Sequence, residues 1–373
     1  MIRLLRIELR RLWRRRMPWI LLLGVSAAML VAGVVTFITH DSEMPEVGDV
    51  AAEIEIQVVE CRAYATDEWN AWNQGEMQDI DPGYEEYLTQ FESAEAMADD
   101  QCNPQYFEGM YVQDPRFCLI SLYEPDVAYR QGCPDLEEAE LYVNEIQTFT
   151  IDGEQYRSPR PIPNGLVPGT SLLLFAIAAL LGASFIGAEY KSGTIETTLL
   201  WEPRRIRVLG SKLGAVGLSA FVIHISLLGF LILTMLPAAM WRGSTSGVDS
   251  EFWFGVVGVI VRGGLAAAAV AAIALSVSVV TRNTVGGVAL LLGYTAVSPM
   301  ISMALLRSTR PFDLTENMAA FANGGEVGRF ISEGYGRQSV YSHGVNGAAI
   351  RVAVYVVIAI TIALVVFRRR DID

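Results

Sequence analysis

Six stretches of this chain are long and apolar enough to cross a lipid bilayer as helices: residues 18–39, 166–188, 211–236, 262–280, 285–306 and 349–367. An α-helix rises 1.5 Å per residue, so about 20 apolar residues match the ~30 Å of bilayer hydrocarbon. Within that layer each backbone N–H and C=O must be bonded inside its own segment, and the helix is the form that achieves this for a single run. The reading is therefore an all-α polytopic membrane protein with six transmembrane helices. Of 373 residues, 52% are hydrophobic, which is too apolar for a typical soluble protein that also carries 41 acidic residues.

The net charge of −13 averages two different regions. Residues 40–165 hold 29 acidic and 5 basic residues, while the rest of the chain holds 12 and 23. One acidic domain is thus set between the first and second spans of a basic membrane protein. Residues 1–17 read as an amphipathic interfacial helix, with Ile2, Leu5, Leu9, Leu12 and Trp13 on one face and seven arginines over the rest. A cleaved signal peptide is excluded by the length of the apolar run that follows and by its end in Thr39-His40-Asp41. Those arginines, five basic residues from Lys191 to Lys212, Arg282, and Arg368-Arg369-Arg370 all fall on one side of a six-span chain. The positive-inside rule makes that side the cytosol, with both termini in. No independent basic soluble domain is present, so nucleic-acid binding is not expected. The outer segment 307–348 balances four arginines with four acids, and Thr315 to Glu333 could form short helices there.

The acidic extracytoplasmic domain, 40–165, reads as α-rich. Ala51, Ile54, Val58 and Cys61 fit a helical face, although Ile54, Ile56 and Val58 also alternate like a strand. Tyr84, Leu88, Phe91 and Ala98 give a second helical face, and Asp135 with Glu138 resembles a capping box. A proline-rich linker, Ser158 to Gly169, closes the domain. It holds all four cysteines of the chain, Cys61, Cys102, Cys118 and Cys133. Four cysteines confined to one extracytoplasmic region argue for two disulfides, with three pairings open. The spacing contains no paired CxxC, which disfavours a metal site. Asp79, Asp81, Glu85 and Glu86 lack calcium-loop spacing and are interrupted by Pro82, so they read as a solvated acidic face.

Small residues fill the spans, as in Gly210, Gly214 and Gly217, and allow helices to approach closely. Pro299 is expected to kink the fifth span. His224 falls near the middle of the third span, a candidate intramembrane polar group whose plainer role is a packing hydrogen bond. Ser171, on another span and nearer its outer end, could be imagined as a hydrolase partner for His224, but the depths differ and no oxyanion-forming loop is evident. Arg262 and Arg351 stand at the outer ends of the fourth and sixth spans and read as snorkelling anchors. The chain contains no GxxxxGK[ST] stretch, so nothing in it cradles nucleotide phosphates in the usual way.

Between the second and third spans, residues 185–212 read FIGAEYKSGTIETTLLWEPRRIRVLGSK. Glu189 and Tyr190 end one apolar run, and Ser192-Gly193-Thr194 breaks it and offers a cap. Ile195 and Leu199 form an i,i+4 pair on a short helix, with Glu196 in its first turn. Pro203 disfavours helix at Glu202, and Arg204, Arg205, Arg207 and Lys212 lead into the next span. This run resembles the coupling segment of the permease subunit of type-two ABC exporters. The resemblance also covers the N-terminal amphipathic helix, the span count and the FRRRDID tail, but not residues 40–165. It implies that Gly193 to Leu200 form a coupling helix docking a cytosolic ATPase. Glu189, Gly193, Thr194, Ile195, Glu196, Leu199, Leu200, Pro203, Arg204 and Arg205 would make up that docking segment, with Leu199 on the docking face. It further implies no catalytic residue here, ATP and Mg held by a separate ATPase chain, a homodimer or heterodimer with a second permease, an unspecified exported substrate, and a bacterial plasma membrane. An alternative is a sensor or signalling protein, with or without a linked ATPase, whose acidic ectodomain binds a partner.

Overall fold

The computed structural model describes residues 2–40, 47–75, 87–103, 117–122, 148–151, 154–160, 165–202, 204–245, 248–304, 311–333 and 336–369. Helix α1 (Ile2–Arg14) is separated from α2 (Arg16–Thr39) by one extended residue, Arg15. Pro18 explains the break: its ring would strike the carbonyl of Arg14 in a continuous helix, but it is tolerated in a first turn. The acidic region contributes α3 (Val47–Asn73) and α4 (Ala94–Gln101). A disulfide from Cys61 to Cys102 joins them, over a small core of Ala65, Leu88, Met97 and Ala98. Ile54 and Val58 therefore belong to a helix rather than a strand. The face expected from Tyr84 to Ala98 is not one helix, because Ser93 caps a new start at Ala94 by accepting from the Ala96 N–H at 3.2 Å. Tyr84, the acidic cluster 79–86, the Asp135–Glu138 box and Cys133 lie outside the described residues. Cys118 is disulfide-bonded.

The remaining helices are α5 (Leu166–Ser192), α6 (Thr194–Trp201), α7 (Arg205–Arg242), α8 (Ser250–Thr281), α9 (Thr284–Ala304), α10 (Leu314–Asn323) and α11 (Val345–Arg369). Of the described helices, α2, α5, α7, α8 and α11 are long and apolar enough to cross a membrane, and the apolar part of α9, Thr284–Ser298, is shorter. α7 and α8 overrun their expected spans the most. α7 extends at both ends of 211–236, and α8 begins at Ser250 instead of 262, where the Asp249 carboxylate accepts from the Phe252 N–H at 2.8 Å. A charged residue with a long apolar stem, such as Arg262, does not end a helix.

The protein is mostly helical, with short strand pairs outside the long helices. β1 (Phe117–Cys118) pairs in parallel with β4 (Gly243–Ser244), and β2 (Thr148–Ile151) with β3 (Glu154–Arg157) antiparallel. β5 (Val327–Glu333) and β6 (Gly336–His343) form an antiparallel hairpin with a bulge at Val327/Gly328. Helix was expected over Thr315 to Glu333; it holds for α10 alone, and the chain beyond the left-handed Gly324 is strand.

α8 lies at the centre of the bundle and packs against α5, α7, α9, α10 and α11. The approach to α5 is so close that a Cβ on Gly182 would collide with the Ala271 carbonyl, the kind of contact that the small residues of the spans permit. α2 instead leaves Ile20, Leu23, Leu30, Val31 and Ile38 exposed, as a helix bathed in lipid would. One end of the bundle carries α1, α6 and the last turn of α11. The other carries the strand pairs and α10.

Candidate functional site

The segment between α5 and α7 is built by two backbone breaks. Gly193 sits at φ +68°, a left-handed conformation strained for any side chain, and both closes α5 and precedes α6. At the far end Glu202 is extended, as a residue before proline should be; Pro203 itself lies outside the described residues. Thr194 opens α6, and its hydroxyl meets that of Ser192 at 3.0 Å. Arg204 is exposed, and Arg205 donates to the carbonyls of Phe367 (3.2 Å) and Arg368 (3.3 Å) at the C-terminal end of α11. That end is the negative pole of the helix dipole.

The two faces of α6 differ. Ile195 is 3% exposed and Leu199 half-buried, and both pack against a core of Leu12, Phe185, Leu209 and Phe367. Leu199, expected on the docking face, thus forms with Ile195 the seat that holds α6 on the bundle. Glu196 and Thr197 are exposed, and Leu200 and Trp201 stand 84% and 87% exposed.

Directly above that seat is a buried ionic cluster. Lys212, fully buried, places Nζ 3.1 Å from both oxygens of Glu8 and 2.6 Å from Oε2 of Glu189. Arg15 approaches the other oxygen of Glu189 at 3.3 Å and donates to the Phe185 carbonyl at 3.1 Å. Both cations lie about 5 Å from the centre of the Phe185 ring, at 5.1 and 5.0 Å. The cluster ties α1, the end of α5 and the start of α7 together around the base of α6. Sequence reasoning had Glu189 in the docking segment and Lys212 at the entry to the next span, and missed their partners Glu8 and Arg15. The available signal was Glu8 itself, the sole acid among residues 1–17, three residues from Leu5 and four from Leu12 on the apolar face.

His224 does meet Ser171, contrary to the expectation from their depths: Nε2 and Oγ are 3.1 Å apart. α7 has 38 residues, about 57 Å of helix, so counting along an upright 26-residue span misjudged where His224 sits. The ring stacks on Phe175, and Gly263 supplies bare backbone against both side chains. Ser171 and His224 are 0% and 1% exposed, and Nδ1 of His224 has no partner among the described residues. A hydrolase pair needs an orienting group on that nitrogen and access for substrate. This pair has neither and is an interhelical hydrogen bond. Among the described residues, no group of His, Cys, Asp and Glu could hold a metal ion.

No curated protein and no solved structure matches the chain significantly. A family model, described as ABC-2 family transporter protein, matches residues 2–372, nearly the whole chain. With several long apolar helices packed around α8 and a short amphipathic helix hung at one end, the chain is a multi-pass membrane protein that belongs to the ABC-2 transporter family.

Proposed function

We propose that this chain is the membrane-spanning permease subunit of an ATP-driven export complex, and that a separate cytosolic ATPase docks on α6. The observation that carries this reading is the two-sided construction of α6. Ile195 seals its inner face into the bundle, while Leu200 and Trp201 extend bare apolar surface from the outer face. Exposed large apolar groups beside charged ones are what a protein-docking patch presents. The buried cluster of Glu8, Lys212, Glu189 and Arg15 gives a push on α6 a rigid route into α1, α5 and α7. ATP and Mg belong to the partner, and the pathway is formed with a second permease copy or a related chain.

The same reading makes α9 a sixth crossing, with both termini and α6 in the cytosol of a bacterial plasma membrane and residues 40–165 outside. Supporting it, Thr284 begins α9 against Gly187 near the α6 end, and Tyr294 and Ser298 reach Asp313 and Thr315 near the other. The test is affinity capture of the tagged chain from its native membrane in mild detergent, with photo-cross-linking at Thr197. A stoichiometric nucleotide-binding ATPase should be captured. Leu200→Asp should abolish the cross-link and the stimulated ATPase activity without loss of expression. An L200D complex with normal stimulation would overturn the docking assignment. Leu199→Asp is the poorer test, since Leu199 faces the bundle.

A further inference from the structure

Arg262 is not at the end of its helix, because α8 begins at Ser250. Its guanidinium lies over Gly258, one turn earlier, where a Cβ would lie 3.4 Å from Nη2. Its head reaches Gly324, where a Cβ would lie 2.8 Å from Nη2 and φ is +91°. Two glycines on different elements, α8 and the cap of α10, thus clear a slot of guanidinium width. Within it Nε is sealed from solvent and has no hydrogen-bond partner. Arg262 forms no ion pair or hydrogen bond among the described residues. Asn323, adjacent to Gly324 in the chain, is 1% exposed, and its Oδ1 is also without a partner among the described residues.

A guanidinium half-withdrawn from water, with Nε sealed, is stabilised by a counter-charge. The C-terminal dipole of α10 offers about half a negative charge, less than the whole charge it faces. From Arg262 to Thr281 the helix runs about 28 Å, close to the thickness of the hydrocarbon, so Arg262 stands at the level of lipid head groups on the ectodomain side. We propose that Arg262, in the slot between Gly258 and Gly324, binds the anionic head, a phosphate or a carboxylate, of an amphiphile. The planar fork of arginine suits either group. The apolar tail has lipid-facing helix surface to lie against. This inference rests on the membrane placement of α8 and is independent of the export reading and of docking at α6.

The test uses the full-length protein with Arg262→Gln and Arg262→Lys variants. One arm counts dioleoyl-phosphatidylglycerol against dioleoyl-phosphatidylcholine retained through purification, by native mass spectrometry. The other titrates decyl phosphate against decanol, reading thermal stability. Retention of phosphatidylglycerol by the wild type but not by R262Q supports the site with a bilayer lipid as its source. Stabilisation by decyl phosphate, absent in R262Q, without any preference between the lipids supports it with a freely diffusing amphiphile. R262K should bind roughly tenfold more weakly, the worth of one charge-assisted hydrogen bond, and carries the test if R262Q does not fold. The proposal is overturned if the wild type prefers neither anionic probe. It is equally overturned if the variants respond as the wild type does, or if they lose stability by the same amount with and without probe, which would mark Arg262 as a cap for α10.

Discussion

At the scale of single residues, the most consequential charge is that of Lys212, which has no access to water. Its two carboxylate neighbours, Glu8 and Glu189, are each 2% exposed. Desolvating such groups costs several kcal/mol apiece, recovered only while the partners are present. Lys212→Met keeps the stem and removes the charge, leaving two buried carboxylates with Arg15 and the more distant Arg11 to share. The expected cost is about 3–5 kcal/mol, read as a lowered midpoint of thermal unfolding in detergent. Adding Glu8→Gln and Glu189→Gln to K212M should recover most of it, because no buried charge is then uncompensated. A K212M protein as stable as the wild type would show that the cluster is not what fastens α1. This arrangement could not be read from the chain: 204 positions separate Lys212 from Glu8, and only the fold brings α1 beside α7. His224 and Ser171 make the same point from the other side, since their contact depends on how α7 crosses α5.

At the scale of elements, the β5–β6 hairpin and α10 form a unit fastened by two titratable groups. The Arg157 guanidinium pairs with both oxygens of Glu326, at 2.7 and 3.1 Å, and stacks on Tyr341. Hydrogen bonding to Arg157 holds the Glu326 carboxyl below its ordinary value. His343 hydrogen-bonds Asn317 at 2.9 Å. The Asn317 amide nitrogen already donates to the carbonyls of Pro311 and Asp313, so its oxygen must accept from Nε2–H. Burial, with the nearby Arg351, pushes His343 down from 6.5 to about 4. A loosened hairpin binds a proton at His343 near pH 6.5 and the packed one only near pH 4, so packing is favoured fully above 6.5 and less as pH falls toward 4. Glu326 adds a loss in the same direction in the more acidic window below 4.5. Hydrogen exchange of β5 and β6, corrected for intrinsic rates, should therefore be faster at pH 5 than at pH 7.5. His343→Gln, which can still donate to Asn317, should flatten that difference; an unchanged pH dependence in H343Q would remove His343 as its source. The helices of the bundle were readable because each carries its own signal of length and apolarity, and α6 because Gly193 and Pro203 bracket it. The hairpin was not, because Val327–Glu333 becomes a strand only by pairing with Gly336–His343 across a turn.

At the scale of the whole molecule, the open quantity is the number of crossings. The described apolar part of α9, Thr284–Ser298, spans only about 22 Å, so composition alone gives five long helices and one shorter apolar one. The topology proposed above makes α9 the sixth. Arg205, beside α6, holds the last carbonyls of α11, so α11 ends at the α6 end of the bundle. α11 starts at the opposite end, directly after the hairpin clasped by Arg157. α8 ends where Thr284 meets Gly187, a few residues from α6. Thr284 lies near α6 and Asp313 caps α10 at the other end, and in the proposed topology α9 carries the chain between them. A bilayer thinned locally, or a helix continued by the polar contacts of Tyr294 and Ser298 with α10, can accommodate a short span at modest cost. Alkaline phosphatase, active only outside the cytosol, fused after residue 282, after residue 313 and at the C-terminus should be inactive, active and inactive in turn. Equal activity at 282 and 313 would mean that α9 does not cross. An active C-terminal fusion would then follow, separating the last turn of α11 from the cytosolic side on which the proposed docking at α6 depends.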